Sequence, residues 1–175
     1  MQNALNGPAQ RGGTAAREPA EPLTRRGEAM PGEGSMSCDE NKEVVRRYYH
    51  ELWNRWRFEL ADELLEPALE FRGSLGASAR GVDGFLEYMG IVRAAFPDFE
   101  NRIDDLIAEG DRVVARLTYA GTHRGEVFGI GPTGRRITYA GVAIFTFRNG
   151  RIVSGWVLGD IDALRRQLRD DGASI

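Results

Sequence analysis

The chain has 175 residues, 42% of them hydrophobic, which suits one domain with a real core. Its 23 Lys and Arg against 26 Asp and Glu leave a net charge of -3, which offers no basic footprint for nucleic acid or an anionic membrane surface. A single cysteine, Cys38, excludes an internal disulfide framework and a cysteine-based metal cluster, and no apolar run is long enough to span a membrane. Without an uninterrupted hydrophobic leader, the expectation is a cytoplasmic protein.

In chain order, residues 1–38 carry no aromatic side chain and mix Gly, Pro, Ala, Arg and Glu without period. They predict a disordered tail ahead of a domain over 39–175. Met36 stands just before the globular pattern, so translation is expected to start there, with Met30 and Met1 as the other candidates. Val44, Val45, Tyr48, Tyr49, Leu52 and Trp53 then recur at helical spacing and predict an amphipathic helix over 41–54. Leu60, Leu64 and Leu65 mark a short second helix stopped by Pro67, and a brief strand follows over 69–73. Phe85, Met89, Val92 and Phe96 share one face of a third helix that Pro97 ends.

From there the period shifts toward two. Strands are expected over 102–108 and 112–121, joined at Glu109-Gly110-Asp111. The glycine-rich stretch 122–134 reads as a long loop. Strands over 136–147 and 151–159 flank Asn149-Gly150, the pair that a type I′ hairpin turn requires. A last helix is expected over 163–168. Helices first and strands afterwards predict an α+β fold, with three N-terminal helices packed on a curved, mostly antiparallel sheet.

A two-residue turn at Asn149-Gly150 without a bulge pairs Phe147 with Ile152, Ala143 with Trp156 and Tyr139 with Asp160. One sheet face then collects Tyr139, Gly141, Ala143, Phe145, Trp156, Leu158 and Asp160, and the other Val142, Ile144, Thr146, Val153 and Val157. A sheet apolar on both sides asks for helices on one and a second copy on the other, so a homodimer is expected.

Asp160, at the end of an apolar strand beside Trp156 and Tyr139, has two readings: a desolvated carboxylate serving as acid and base, or the N-cap of the last helix. His123, where a strand enters the glycine-rich loop, is either an acid at a pocket mouth or a polar surface residue. His50 reads as solvent-facing, and two histidines so far apart give no support to a metal site. Arg72 can hold a carboxylate or enolate oxygen from the edge of a cavity, or form a surface ion pair. Tyr49, Trp53, Phe85 and Tyr139, with Trp56, Tyr88, Phe128 and Trp156, are candidates for an aromatic, substrate-binding cavity.

Asn41-Lys42 leading to Tyr48-Tyr49 and Leu52-Trp53-Asn54, then Ala95-Phe96-Pro97-Asp98, Glu109-Gly110-Asp111-Arg112-Val113, Gly121-Thr122-His123-Arg124-Gly125-Glu126, Pro132-Thr133-Gly134, and Trp156 with Asp160 and Gln167-Leu168 follow one another in a specific order. In that order they resemble the SnoaL-like polyketide cyclases, across nearly all of 41–168. The resemblance implies a cone-shaped fold of the nuclear-transport-factor-2-like superfamily, usually dimeric, and intramolecular aldol ring closure without metal or cofactor. It places the catalytic aspartate at Asp160. Arg72 departs from the pattern, standing where many relatives have a histidine. The expected function is therefore acid/base cyclisation of a small hydrophobic, carbonyl-rich molecule. Asp160 takes the proton, and Arg72, His123 or Tyr139 donates to the oxyanion. The alternatives are a non-catalytic binding or dimerisation module, or an isomerase or epoxide hydrolase on the same fold.

Overall fold

A computed structural model describes residues 36–169. The tail expected over 1–38 lies outside the described residues apart from its last three. Of these, Ser37 and Cys38 already belong to the first helix. The Ser37 hydroxyl accepts from the Glu40 amide, and the Glu40 carboxylate accepts from the Ser37 amide. This reciprocal capping box opens α1 (Cys38–Arg47) ahead of the expected start. The helix then widens into a π-helical turn, Tyr48–Trp53, closed by the Asn54 amide on the Tyr49 carbonyl. Tyr48, Tyr49, Leu52 and Trp53 are all buried there.

The second helix is short: a 3-10 turn at Phe58–Leu60 and one turn of α2 (Ala61–Leu64). It stops before Pro67, because β1 (Leu65–Arg72) has already begun. Pro67 has no N–H to give a ladder, and β1 loses register with its parallel neighbour between Leu65 and Glu70. A short strand, β2 (Ser78–Arg80), absent from the sequence reading, pairs back on β1. Then follow α3 (Gly81–Ala95), β3 (Glu100–Glu109), β4 (Arg112–Thr122), β5 (Arg136–Arg148), β6 (Arg151–Gly159) and α4 (Ile161–Arg169). The sheet order is β2-β1-β6-β5-β4-β3, with β1 and β6 parallel and every other pair antiparallel. Three helices precede the main strands, as expected, and α4 is the fourth.

Asn149 and Gly150 both take positive φ, 50° and 78°, and join β5 to β6 in the expected two-residue turn. Phe147 faces Ile152 as anticipated, but the next pair is Thr146 with Ser154. Val153 is therefore an extra residue on β6, a β-bulge, and every side chain beyond it changes face. The inner face holds Tyr139, Ala143 and Phe145 of β5 with Gly155 and Val157 of β6, whereas Trp156 and Leu158 point outward, 42% and 51% exposed. The expected grouping is correct for β5 and inverted for β6.

The loop between β4 and β5 is tied down at both ends. The His123 amide donates to Arg135, the Gly134 amide to His123, and the amides of Arg124 and Gly125 to the Ala95 carbonyl at the end of α3. Gly125 is required for this close approach, since a Cβ there would stand 2.3 Å from the Ala94 carbonyl oxygen. Backbone cannot give way as a side chain can. Gly125→Ala is expected to cost about 1–3 kcal/mol in urea unfolding. Gly131→Ala, with no neighbour within 4 Å of the new methyl, is expected to stay within about 0.5 kcal/mol of the parent.

Candidate functional site

Between the helices and the inner sheet face lies a cavity whose walls come from six elements. The π-helical turn supplies Tyr48, Tyr49 and Trp53; α3 supplies Tyr88 and Val92; the sheet supplies Phe71, Asn101, Tyr119 and Val157. Ser74 and Phe99 close it from the loops after β1 and before β3. Two glycines seat the large rings. A Cβ at Gly73 would fall 2.1 Å from the Tyr88 ring, and one at Gly141 would fall 2.3 Å from that of Tyr119. The free space is about 20 Å³, counted as the volume open to the centre of a water-sized sphere, which is room for about one water or one ligand oxygen.

The cavity is polar only through neutral groups. Burial, and then the nearness of other tyrosines, pushes the phenols of Tyr49 and Tyr119 well above their ordinary range. Burial does the same for Tyr48, Tyr88 and Tyr139. These hydroxyls stay protonated at any physiological pH and serve as hydrogen-bond donors. The Ser74 hydroxyl lies 3.4 Å from that of Tyr139, and the Leu75 amide donates to the Tyr88 hydroxyl at 3.4 Å. Asn101 is locked to Asn54: its amide and side-chain N–H both donate to Asn54 Oδ1, at 2.8 and 2.9 Å. The Trp53 indole N–H has no partner at hydrogen-bond geometry.

Of the residues singled out in the sequence, Tyr49, Trp53 and Tyr88 line this cavity. Phe85 is fully buried one layer behind it, edge-on to Phe71 at 4.9 Å. Tyr139 sits on the same inner face, 4.9 Å from Tyr119, and reaches the site through Ser74. The others lie elsewhere. The Val153 bulge turns Trp156 to the outer face, where Arg72 joins it: the guanidinium is 5.5 Å from the indole centroid and donates to the Val157 carbonyl at 2.7 Å. Asp160 is exposed and takes the capping geometry, its Oδ1 accepting from the Ala163 amide at 2.9 Å. The position of β6 that does face the cavity is Val157.

His123 is buried in the loop and not at a pocket mouth. Its ring packs on Phe96 at 5.5 Å, and Phe96 in turn packs on Phe99 of the cavity wall. Nδ1 accepts from the Thr133 amide at 3.2 Å and lies 3.0 Å from the Thr133 hydroxyl, while Nε2 has no partner at hydrogen-bond geometry. Sequence reasoning passed over Tyr48, Ser74, Phe99, Asn101, Tyr119 and Val157 as lining residues. The helical spacing marked Tyr48 and the alternation of β4 marked Tyr119 as inward, but nothing local marked the others. Among the described residues no cluster of three or more His, Cys, Asp or Glu is arranged to hold a metal ion.

The chain matches the family model described as SnoaL-like polyketide cyclase over residues 43–168. It belongs to that family. Among solved structures, a candidate polyketide cyclase from Acidithiobacillus ferrooxidans is 30% identical, with a TM-score of 0.66 over 77% of this chain and 99% of its own. AclR, a candidate hydroxylase from Streptomyces galilaeus, is 27% identical, with a TM-score of 0.67 over 79% and 87% of the two chains. A candidate SnoaL-like cyclase from Jannaschia sp. CCS1, 21% identical with a TM-score of 0.69 over 74% and 92%, shares the fold. No curated protein sequence matches. The family's cone fold is thus present, while the walls of this SnoaL-like cavity hold no carboxylate and no imidazole.

Burial lowers the His123 pKa, an effect that its backbone neighbour Gly125 partly offsets. The folded state thus holds the neutral ring, while the unfolded chain takes up a proton near pH 6.5. Stability is complete above about pH 6.5 and is lost as pH falls from there through the folded pKa, with a slope of at most about 1.4 kcal/mol per pH unit. Urea unfolding between pH 7.5 and 5 should show this slope in the parent and not in His123→Gln. Asp98 and Asp104, whose carboxyls are held below their ordinary values, act in a separate, more acidic window.

Proposed function

We propose that this chain holds a small, uncharged, carbonyl-bearing hydrophobic molecule in the tyrosine-lined cavity and works through shape and neutral donors, without a carboxylate base. One observation carries this reading: every side chain lining the cavity is aromatic, aliphatic, Ser or Asn. A free carboxylate or ammonium group on the ligand would meet no compensating charge there. Ring closure remains compatible with such a site. A 1,3-dicarbonyl compound enolises readily in water. A cavity that holds the enol carbon against a ketone carbonyl gains by proximity, while tyrosine hydroxyls stabilise the developing alkoxide. The enol gives up its hydroxyl proton as the carbon–carbon bond forms, and the new alkoxide takes one up, so the proton count closes. Phe99 lines both the cavity and a groove outside it, formed with Asn54, Trp56 and Pro97. Its ring is the partition that the body of a ligand displaces on entry.

The test is a pair of substitutions at Asp160 with benzoylacetone as the probe diketone. Asp160→Asn keeps a capping oxygen and is expected to leave both stability and calorimetric binding of benzoylacetone unchanged. Asp160→Ala is expected to lose about 1 kcal/mol of stability. On any poly-β-ketone that the parent cyclises, Asp160→Asn should retain turnover. Loss of turnover with binding intact would return the acid/base role to Asp160.

A second copy of the chain is the proposed cover for the outer sheet face. Ile107, Val114, Ile144 and Trp156 are successive cross-strand partners on β3, β4, β5 and β6. They form one apolar row across the sheet, which Leu158 and Val142 widen. Such a row is self-complementary about a two-fold axis. Light scattering is expected to give twice the chain mass for the parent and the single-chain mass for the Ile107→Glu, Trp156→Glu double variant. Equal masses would remove the homodimer.

A further inference from the structure

We propose that the indole N–H of Trp53 is the anchor that selects a carbonyl oxygen within this cavity, an inference that rests on the cavity being the ligand site. Trp53 is 5% exposed, and its Nε1 is one of the few buried polar atoms among the described residues without a hydrogen-bond partner. Native proteins rarely leave such a group unpaired, because it has given up water for nothing. The Tyr48 hydroxyl is close enough for the indole N–H to offset a little of the burial effect on its phenol, yet the two atoms do not meet at hydrogen-bond geometry, which leaves the N–H free for a better-placed acceptor. The ring is held at its edges by Phe85 and Tyr88, at 5.9 and 6.1 Å between centroids, so the N–H does not escape to solvent by a small rotation. The free space beside these rings matches one oxygen atom.

The chemistry of the donor sets the class of ligand. A tyrosine hydroxyl donates or accepts and so receives a carbonyl or a hydroxyl alike; an indole N–H only donates. Trp53 therefore discriminates where the tyrosines do not. With no cation among the lining residues to balance a carboxylate, the preferred partner is an uncharged acceptor, a ketone or quinone oxygen. Trp53 sits on the π-helical turn, whose extra residue sets the angle at which the indole enters the cavity.

The experiment uses the full chain, 15N-labelled, with two probes of nearly the same shape: acetophenone, which carries a carbonyl, and ethylbenzene, which does not. The Trp53 indole resonance, assigned with Trp53→Phe, is expected to move downfield with acetophenone and to stay near its free position with ethylbenzene. In calorimetry the affinity ratio of acetophenone to ethylbenzene is expected to fall about tenfold in Trp53→Phe. Comparing ratios cancels the difference in hydrophobicity between the probes. If both probes shift resonances of the cavity residues while the indole signal stays still and the ratio is unchanged, the anchor is overturned and the cavity reading stands. Silence from cavity resonances with both probes would overturn the cavity reading, and the anchor with it. The indole shift is read on the parent chain, and Trp56→Phe with Trp156→Phe assigns it by elimination, so the test survives a Trp53→Phe variant that folds poorly.

Discussion

Side chains on a strand alternate between faces, so one extra residue at Val153 decides what β6 presents to the interior. Below the bulge, the pairing of Phe147 with Ile152 keeps both in the core. Above it, Gly155 and Val157 turn inward, and Trp156 and Leu158 turn out. The interior consequence is an apolar strand wall: Val157 stands opposite Ala143 on β5, and neither side chain titrates. The exterior consequence is a ridge of large apolar groups on a sheet face that no helix of the described residues covers. Shifting the ladder by one position would exchange the two outcomes, bringing an indole into the cavity and leaving a much weaker apolar row outside. The bulge also lies beside the irregularity of β1, where Pro67 interrupts the ladder between Leu65 and Glu70. The two neighbouring strands leave regular pairing at the same level of the sheet.

Against that wall the aromatic side chains of the helices and of the sheet pack on one another. Tyr48 lies within 6.4 Å, centroid to centroid, of Tyr49, Trp53, Phe85 and Phe145. Glycine at 73 and 141 removes the side chains on which Tyr88 and Tyr119 would otherwise collide. Each ring brings a large buried area and a geometric preference for edge or offset contact, so few arrangements fill the space. The polar tips of these rings are the only part of the arrangement left without an apolar neighbour's shape to satisfy. Tyr48, Tyr49, Trp53, Tyr88 and Tyr119 all line the small space that the packing leaves. The cavity is in this sense a product of the packing, and its donors are the ends of core residues.

Most of the scaffold was legible because its signals are local. Asn149-Gly150 specifies positive φ at two successive positions, and the structure has both. The helical spacing of Val45, Tyr48, Tyr49, Leu52 and Trp53 needs only one buried face, and it placed Tyr49 and Trp53 at the site. The start of α1 was readable in Ser37-Cys38-Asp39-Glu40, a capping box, but the composition of the preceding stretch drew the boundary too late. β2 was missed because three residues, Ser78–Arg80, with one half-buried side chain carry no period. The Val153 bulge has no clear signature: Ile152-Val153 and Trp156-Val157-Leu158 are apolar on both faces, so the pattern fits either register. The placement of Trp156 inside and of Val157 outside follows from that one position, whereas the burial of His123 and the lining roles of Ser74, Phe99 and Asn101 depend on tertiary contacts away from it. Asp160 itself was open to two readings in the sequence, and the amide of Ala163 three residues on is the partner that a cap requires.

The family supplies a cone and a cavity, and this chain fills the wall positions with groups that neither take nor give a proton near neutral pH. Buried phenols are held above their ordinary range because the phenolate would lose its hydration and meet other tyrosines instead of a cation. That same shift makes them dependable donors. Under the proposed function, tasks that need an electrophile or a mould suit such walls better than tasks that need a base. A carbonyl compound gains from such a site in proportion to how far negative charge develops on its oxygen, since a fixed neutral donor costs no reorganisation at that moment. Substrates that arrive already enolised need nothing more from the walls than this donation and the correct distance between two carbons. On the proposed reading, an arrangement of neutral donors around a space of one oxygen would select among carbonyl chemistries by how much of the proton transfer the substrate completes for itself.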